Sequence, residues 1–397
     1  MEWQQLKNPE IQEFIKVNEN HDVAELALKK APNPLWPYAL ILAQIKVRKK
    51  AKIKAKDIYD TNGFIYPPND VFEQASSSTC AKYKASLVSG ERFIDLTAGC
   101  GIDAFYIGKA CSHMILVEKN KNYADILRHN MGVLYQNTKK EILVINATAE
   151  EYLENVDTAD LIYIDPQRRE DARKGLFDLS LCSPNIVSLL GSIRSMKARV
   201  MIKASPFLDI EKGIKDLGAV SSVHVVQWQK DCKEVLYLLD GTHEGTIENV
   251  EVNAVDLHDD GSVKNSFRYM MADEKCLEIE YAMPKKYIYE PDPAFQKAGG
   301  FKSLAKHYHL HKLHPHTQLY TSNEKQHDFP GKCHEILDVL PVKSKALTVR
   351  KADLAVRNFP DTVKNLRKKL KINDGGAHRI YATTLCDDKK KLILCLK

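Results

Sequence analysis

The 397-residue sequence has no Cys-x-x-Cys pair; its nine cysteines stand singly at 80, 100, 111, 182, 232, 276, 333, 386 and 395. That scatter and the odd total exclude a disulfide framework and a zinc-ribbon spacing, and predict reduced, mostly buried thiols with no structural metal. Long apolar runs are also missing. None approaches the roughly 20 residues that a bilayer span needs, so no membrane partner is expected. The opening Met1-Glu2-Trp3-Gln4-Gln5 has neither the basic nor the apolar part of a secretory signal, which predicts a cytoplasmic protein. There is no internal repeat and no long low-complexity tract, which excludes solenoid arrays and extended disorder. What is present is a globular composition, 44% hydrophobic and 28% charged. At this length two to three domains are predicted.

The net charge of +6 is unevenly placed. Residues 325–397 hold 17 Lys and Arg against 8 Asp and Glu, or +9, which leaves −3 for everything before them. A second basic cluster, Lys46, Arg48, Lys49, Lys50, Lys52, Lys54 and Lys56, lies near the N-terminus. Positive ends on a near-neutral centre suit a polyanionic partner such as RNA. For either cluster alone, lysines solvated on a helix face are an equal reading.

Apolar residues recur at helical spacing through residues 1–75, broken by Pro32, Pro34 and Pro37, and predict an N-terminal helical domain. From residue 76 to 243 the pattern changes to strands alternating with helices. Strands are predicted at 93–96, 113–118, 141–145, 161–164, 199–203, 222–227 and 234–239. Strands separated by helices argue for a parallel α/β sheet covered on both faces, and the last two strands come without a clear helix between them. Residues 244–324 read as a β extension followed by a small unit, and 325–397 as a small basic α+β domain.

In open sheets of this kind ligands bind at the carboxyl ends of the strands. After the first strand stand Asp95, Thr97, Ala98, Gly99 and Gly101; after the second, Glu118 and Lys119; after the third, Asn146 and Ala147; after the fourth, Asp165, Pro166, Gln167, Arg168 and Arg169. Gly99 and Gly101 lack the β-carbons that would keep a ligand off the backbone. Gly99-x-Gly101-x-x-Ala104 also fits the relaxed dinucleotide fingerprint, so charge has to separate the two cofactors. A pyrophosphate over this turn would be repelled by Asp95 and Asp103, whereas the ammonium and sulfonium of S-adenosylmethionine would be attracted. Glu118 is placed to accept from both ribose hydroxyls and marks a nucleoside in either case.

Asp95-Leu-Thr-Ala-Gly-Cys-Gly-Ile-Asp103 and Ile164-Asp165-Pro-Gln-Arg-Arg169 resemble a family of class I methyltransferases that carry a ferredoxin-like and a THUMP-like C-terminal domain. The resemblance extends to Lys203-Ala204-Ser205-Pro206, Tyr289-Glu290-Pro291-Asp292-Pro293, Leu313-His314-Pro315 and Ala355-Val356-Arg357-Asn358-Phe359-Pro360. It implies a Rossmann-like sheet of seven strands with a hairpin-like end, S-adenosylmethionine as cofactor, and RNA as substrate. Transfer RNA is favoured by analogy with THUMP domains elsewhere. Arg350, Lys351, Arg357, Arg367, Lys368 and Lys369 are the expected RNA contacts.

Asp165-Pro166-Gln167 lacks the aromatic residue with which amino-methylating enzymes stack the acceptor base, although an arginine can also stack. No cysteine follows strand five, which disfavours a covalent pyrimidine mechanism. Cys182 is expected in the core. Direct in-line transfer remains, with Asp165 orienting the acceptor and Arg168 and Arg169 binding a phosphate or base. The competing readings are an RNA-binding protein that has lost catalysis, disfavoured by the intact glycine turn and Glu118, and a methyltransferase of proteins or small molecules, disfavoured by the basic tail. The histidines between His307 and His316 have no completing ligands at a usual spacing, so they are expected in a polar loop or an RNA-facing surface without a metal.

Overall fold

The computed structural model describes residues 2–156, 158–168, 178–240 and 246–397. The chain forms two compact units, one of residues 1–229, 233–246 and 257–264, the other of residues 230–232, 247–256 and 265–397.

In the first unit seven strands, β1 (Arg92–Asp95), β2 (His113–Val117), β3 (Glu141–Ile145), β4 (Leu161–Ile164), β5 (Arg199–Ala204), β6 (Val220–Trp228) and β7 (Asp231–Leu239), lie side by side in the order 3-2-1-4-5-7-6. Pairs β1 to β2, β2 to β3, β1 to β4 and β4 to β5 are parallel, and β7 runs antiparallel to β5. This order is the expected class I methyltransferase arrangement, although the sheet has nine strands where seven were expected. All four residues of β4 and all but the first of β1 are buried, which explains why the central strands read as unbroken apolar runs. β1 is bonded in register to both neighbours, Ile94 lying opposite Ile115 on β2 and Ile162 on β4. The chain order reverses at β1 and β4, and that reversal opens a crevice at their carboxyl ends.

Local chemistry sets the helices that follow. Asn120 caps helix Lys121–Leu134 by accepting from the Asn122 and Tyr123 amides at 3.0 and 3.2 Å. Thr148 and Glu151 form a capping box at helix Ala149–Leu153. The N-terminal region is helical as its spacing predicts, with helix Tyr38–Lys54 at its centre. Val47 and Ala51 of that helix share a core with Ile102 and Tyr106, next to the glycine turn.

The second unit has a seven-stranded sheet in the order His311–His314, Thr317–Ser322, Tyr287–Pro291, Gly331–Pro341, Lys390–Leu396, His378–Thr384, Asp353–Arg357. Strand Gly331–Pro341 pairs with Tyr287–Pro291 on one side and Lys390–Leu396 on the other. Helix Val363–Leu370 buries Leu366 and Leu370 against Ile380 and Leu392.

All nine cysteines are free, but only Cys80, Cys111 and Cys395 are buried, fewer than expected. Cys182 is a correction of the same kind. It is half-buried in a two-residue strand paired with Gln167–Arg168, because a short edge bridge has no second layer to cover it. Among the described residues no helix is long and apolar enough to cross a membrane, and no group of three or more His, Cys, Asp or Glu could hold a metal.

Candidate cofactor and acceptor site

The turn after β1 is fastened from both sides: Leu96 N donates to Tyr163 O on β4 at 3.0 Å, and Ala98 N to Val117 O on β2 at 2.9 Å. Gly99 and Gly101 have φ of +52° and +79°, the left-handed region where a β-carbon is penalised. Their reasons differ. A β-carbon on Gly99 would meet nothing closer than Thr97 O at 3.8 Å, so that side of the turn is open. One on Gly101 would lie 2.3 Å from Met131 Cε and 2.5 Å from Leu127 Cδ1, so besides the positive φ it would have to displace the ends of two side chains of helix Lys121–Leu134.

A cavity of about 340 Å³ opens over this turn. Asp95, Thr97, Ala98, Gly99, Glu118, Lys119, Ala147, Asp165 and Gln167 all line it, from the ends of four different strands. Gly101, Asn146 and Pro166 do not. The Asn146 amide instead donates to the Glu118 and Lys119 carbonyls at 2.9 and 3.0 Å, which fixes the β2 end. Arg168 pairs through its backbone with Cys182. Arg169 lies outside the described residues.

Six carboxyl-bearing residues line the cavity, and four of them, Asp95, Asp103, Glu118 and Asp165, surround the glycine turn. Asp95 is 1% exposed and accepts from the Thr97 amide at 2.9 Å. Burial, with Asp103 and Asp165 nearby, disfavours its ionised form and holds its pKa well above the usual carboxylate range. Glu118 accepts from Gly99 N at 3.0 Å and from Asn120 N at 2.7 Å, so both oxygens are already oriented by backbone. The Thr97 hydroxyl accepts from the Asp165 amide at 2.7 Å, tying the β1 end to the β4 end.

Beneath these lies a charge network that the sequence reading missed. Lys84, 0% exposed on helix Ser78–Ser86, contacts Asp103 Oδ1 and Glu234 Oε2 at 2.9 Å each. Ser76 and Tyr163 hydroxyls donate to Asp103 Oδ2 at 2.7 and 2.8 Å. Burial opposes charge on Asp103, but Lys84 and Lys203 outweigh it and hold the carboxyl below its usual range. Lys203, at the end of β5, donates to Asp165 Oδ2 at 2.5 Å. Burial opposes its charge too, and Asp165, Asp103 and Glu234 together raise its affinity for the proton. The available signal was a charged residue inside an apolar strand: Lys203 in Arg199–Ala204 and Glu234 in Asp231–Leu239.

Residues 51–179 match a family model described as conserved hypothetical protein 95, residues 287–330 a ferredoxin-like domain, and residues 331–397 a THUMP-like domain. A crystal structure from Porphyromonas gingivalis W83, described as a "putative methyltransferase", is 29% identical and matches with a TM-score of 0.86 over 98% of this chain and 97% of that one. The chain is a methyltransferase-fold protein with a ferredoxin-like and a THUMP-like domain. TrmK of M. capricolum, solved with S-adenosyl-homocysteine, is 11% identical and covers 42% of this chain and 70% of that one, with a TM-score of 0.33. No curated protein matches the chain. The ferredoxin-like and THUMP-like stretches of this methyltransferase-fold chain meet in one sheet, where Tyr287–Pro291 pairs with Gly331–Pro341.

The expected RNA contacts are unequal. Arg357 is paired to buried Glu290, Arg367 to Asp374, and Arg350 donates to Ser344 O at 3.1 Å. Lys351, Lys368 and Lys369 are exposed. His307 ends a helix, while His311 and His314 bound a strand, so the histidine run is not one loop.

Proposed function

We propose that the chain is an S-adenosylmethionine-dependent methyltransferase acting on RNA, with transfer RNA the favoured class. The observation that carries this reading is the acidic lining of the cavity, with Asp95, Asp103, Glu118 and Asp165 around one glycine turn. A pyrophosphate there would meet an acidic lining, whereas a cationic ligand is attracted to it and favours the ionised form of Asp95. The Gly99 amide, the donor a phosphate would seek, is already given to Glu118. The donor set therefore fits a nucleoside with positive charge better than a dinucleotide.

Bound there, S-adenosylmethionine supplies a methyl group on a cationic sulfur. The protein's part is to position and to exclude water. Glu118 keeps lone pairs for ribose hydroxyls, and Asp95 faces the cationic part. Asp165 and Gln167 bound the acceptor side, where Asp165, held by Lys203 and the Thr97 hydroxyl, orients the acceptor for in-line transfer. The basic tail and the THUMP-like match support RNA as acceptor. Equilibrium dialysis tests the cofactor half: saturable binding of S-adenosylmethionine with no binding of a nicotinamide dinucleotide is expected, and the reverse preference overturns the reading.

A further inference from the structure

Two of the motifs singled out in the sequence meet inside the second unit at a group that the methyl-transfer reading does not use. Glu290, of Tyr289-Glu290-Pro291, is 2% exposed. Its Oε1 accepts from Arg357 Nη2 at 2.5 Å. Its Oε2 accepts from Arg379 Nη2 at 2.9 Å and from the Tyr381 hydroxyl at 3.0 Å, and Lys332 Nζ stands 3.7 Å away. Strand register produces the convergence. Glu290 lies opposite Lys332, and Arg357 shares a face with Arg379 and Tyr381, because Arg357 pairs with Thr383 and Ala355 with Tyr381.

Three cations around one carboxylate leave an excess of two positive charges. A purely structural staple does not need that excess, since one arginine neutralises one carboxylate and a second adds like-charge repulsion. Burial opposes ionisation of Glu290, but Arg357, Arg379 and Lys332 hold its carboxyl below the usual range, so it stays charged and keeps the guanidiniums oriented. Donors are also left over. Among the described residues, Arg357 Nε, Arg379 Nε and both ring nitrogens of His334 are buried without a hydrogen-bond partner. His334 is on the same face of its strand as Lys332 and its ring lies 6.2 Å from that of Tyr381. Access is graded: the Lys332, Arg357 and Arg379 side chains are 50%, 37% and 15% exposed. Surplus charge, planar donor forks and a solvent-facing rim are the features that recognise tetrahedral oxyanions.

We propose that Lys332, Arg357 and Arg379 form a phosphate-binding site, with Glu290 as the internal carboxylate that orients the two arginines. The phosphate belongs either to a polynucleotide backbone or to free phosphate, and the experiment separates the two. His334 is the reporter. Burial and the nearby Arg379 depress its protonation, with Lys332 adding to this and the Leu396 backbone and Glu290 opposing it. A bound oxyanion reverses that balance and favours the protonated ring.

The test uses the full chain with labelled histidine, followed by nuclear magnetic resonance as inorganic phosphate is added without cofactor. The expected result is a saturable shift of the His334 ring signal and an upward move of its titration midpoint. Lys332→Ala should weaken phosphate affinity about tenfold, the size of one lost charge-assisted contact. Competition by a single-stranded RNA oligonucleotide assigns the site to a polynucleotide phosphate, and phosphate binding without such competition assigns it to free phosphate. Absence of a saturable His334 response up to tens of millimolar phosphate, or equal affinity in wild type and Lys332→Ala, overturns the proposal. Because no cofactor is present, this outcome is independent of whether the first unit transfers methyl groups.

Discussion

Asp165 and Lys203 carry the sharpest residue-scale expectation. The carboxylate ends β4 at the cavity while the ammonium ends β5 beside it, at 2.5 Å. Asp165→Ala should reduce methyl transfer by at least about 100-fold, a loss of orientation at the reacting centre, while cofactor affinity stays within a few-fold. Full activity in that variant removes Asp165 from the mechanism. Asp95 gives a pH prediction. Burial raises its pKa in the free protein, and a cationic ligand favours the ionised form, so binding releases a proton. Affinity for S-adenosylmethionine should therefore rise with pH until Asp95 is ionised in the free protein. Calorimetry in two buffers of different ionisation enthalpy reads this directly, and proton uptake contradicts it. Gly101→Ala meets both a positive φ and two side chains within 2.5 Å, and should cost about 1–3 kcal/mol in denaturant unfolding. Gly99→Ala has open space and should instead show its larger effect on cofactor binding.

At the scale of elements, much of the first unit was readable because its strands are buried on both faces and its ligand groups sit where strands end. Asp95 ends β1, and Glu118 and Asp165 follow β2 and β4 directly, so locating a strand located a cavity-lining residue. Lys84 was not readable in this way. Between Tyr83 and Ala85 it resembles an ordinary helix-surface lysine, and its partner Glu234 is 150 residues away, a pairing that only the closed sheet creates. Gly101 was identified as a glycine requirement, but its reason, packing against Met131 and Leu127, belongs to a helix whose docking angle no local pattern encodes. Lys84→Met leaves Asp103 and Glu234 buried without their cation and should destabilise the fold by about 3–5 kcal/mol in urea unfolding. The pH dependence has a definite sign. Asp103 is held below its unfolded value, so its contribution is present above about pH 4 and is lost as pH falls through its folded value. Wild type should therefore lose stability in acid more steeply than Lys84→Met; parallel acid unfolding curves contradict this.

Across the whole molecule, charge asymmetry was visible in the sequence but its destination was not. The excess of +9 in residues 325–397 counts Arg367 as if it were available to a partner. In the folded chain it is tied to Asp374, while Lys351, Lys368 and Lys369 remain exposed. Counting cannot distinguish a cation spent on an internal carboxylate from one facing solvent, because that depends on which strands become neighbours. The central claim is methyl transfer to RNA. It is tested most directly by incubating the protein with tritium-labelled S-adenosylmethionine and a mixture of cellular RNA, proteins and metabolites, then separating the three fractions. The account predicts label in RNA, concentrated in the transfer RNA size class and absent with Asp165→Ala. Label confined to the protein or metabolite fraction contradicts it.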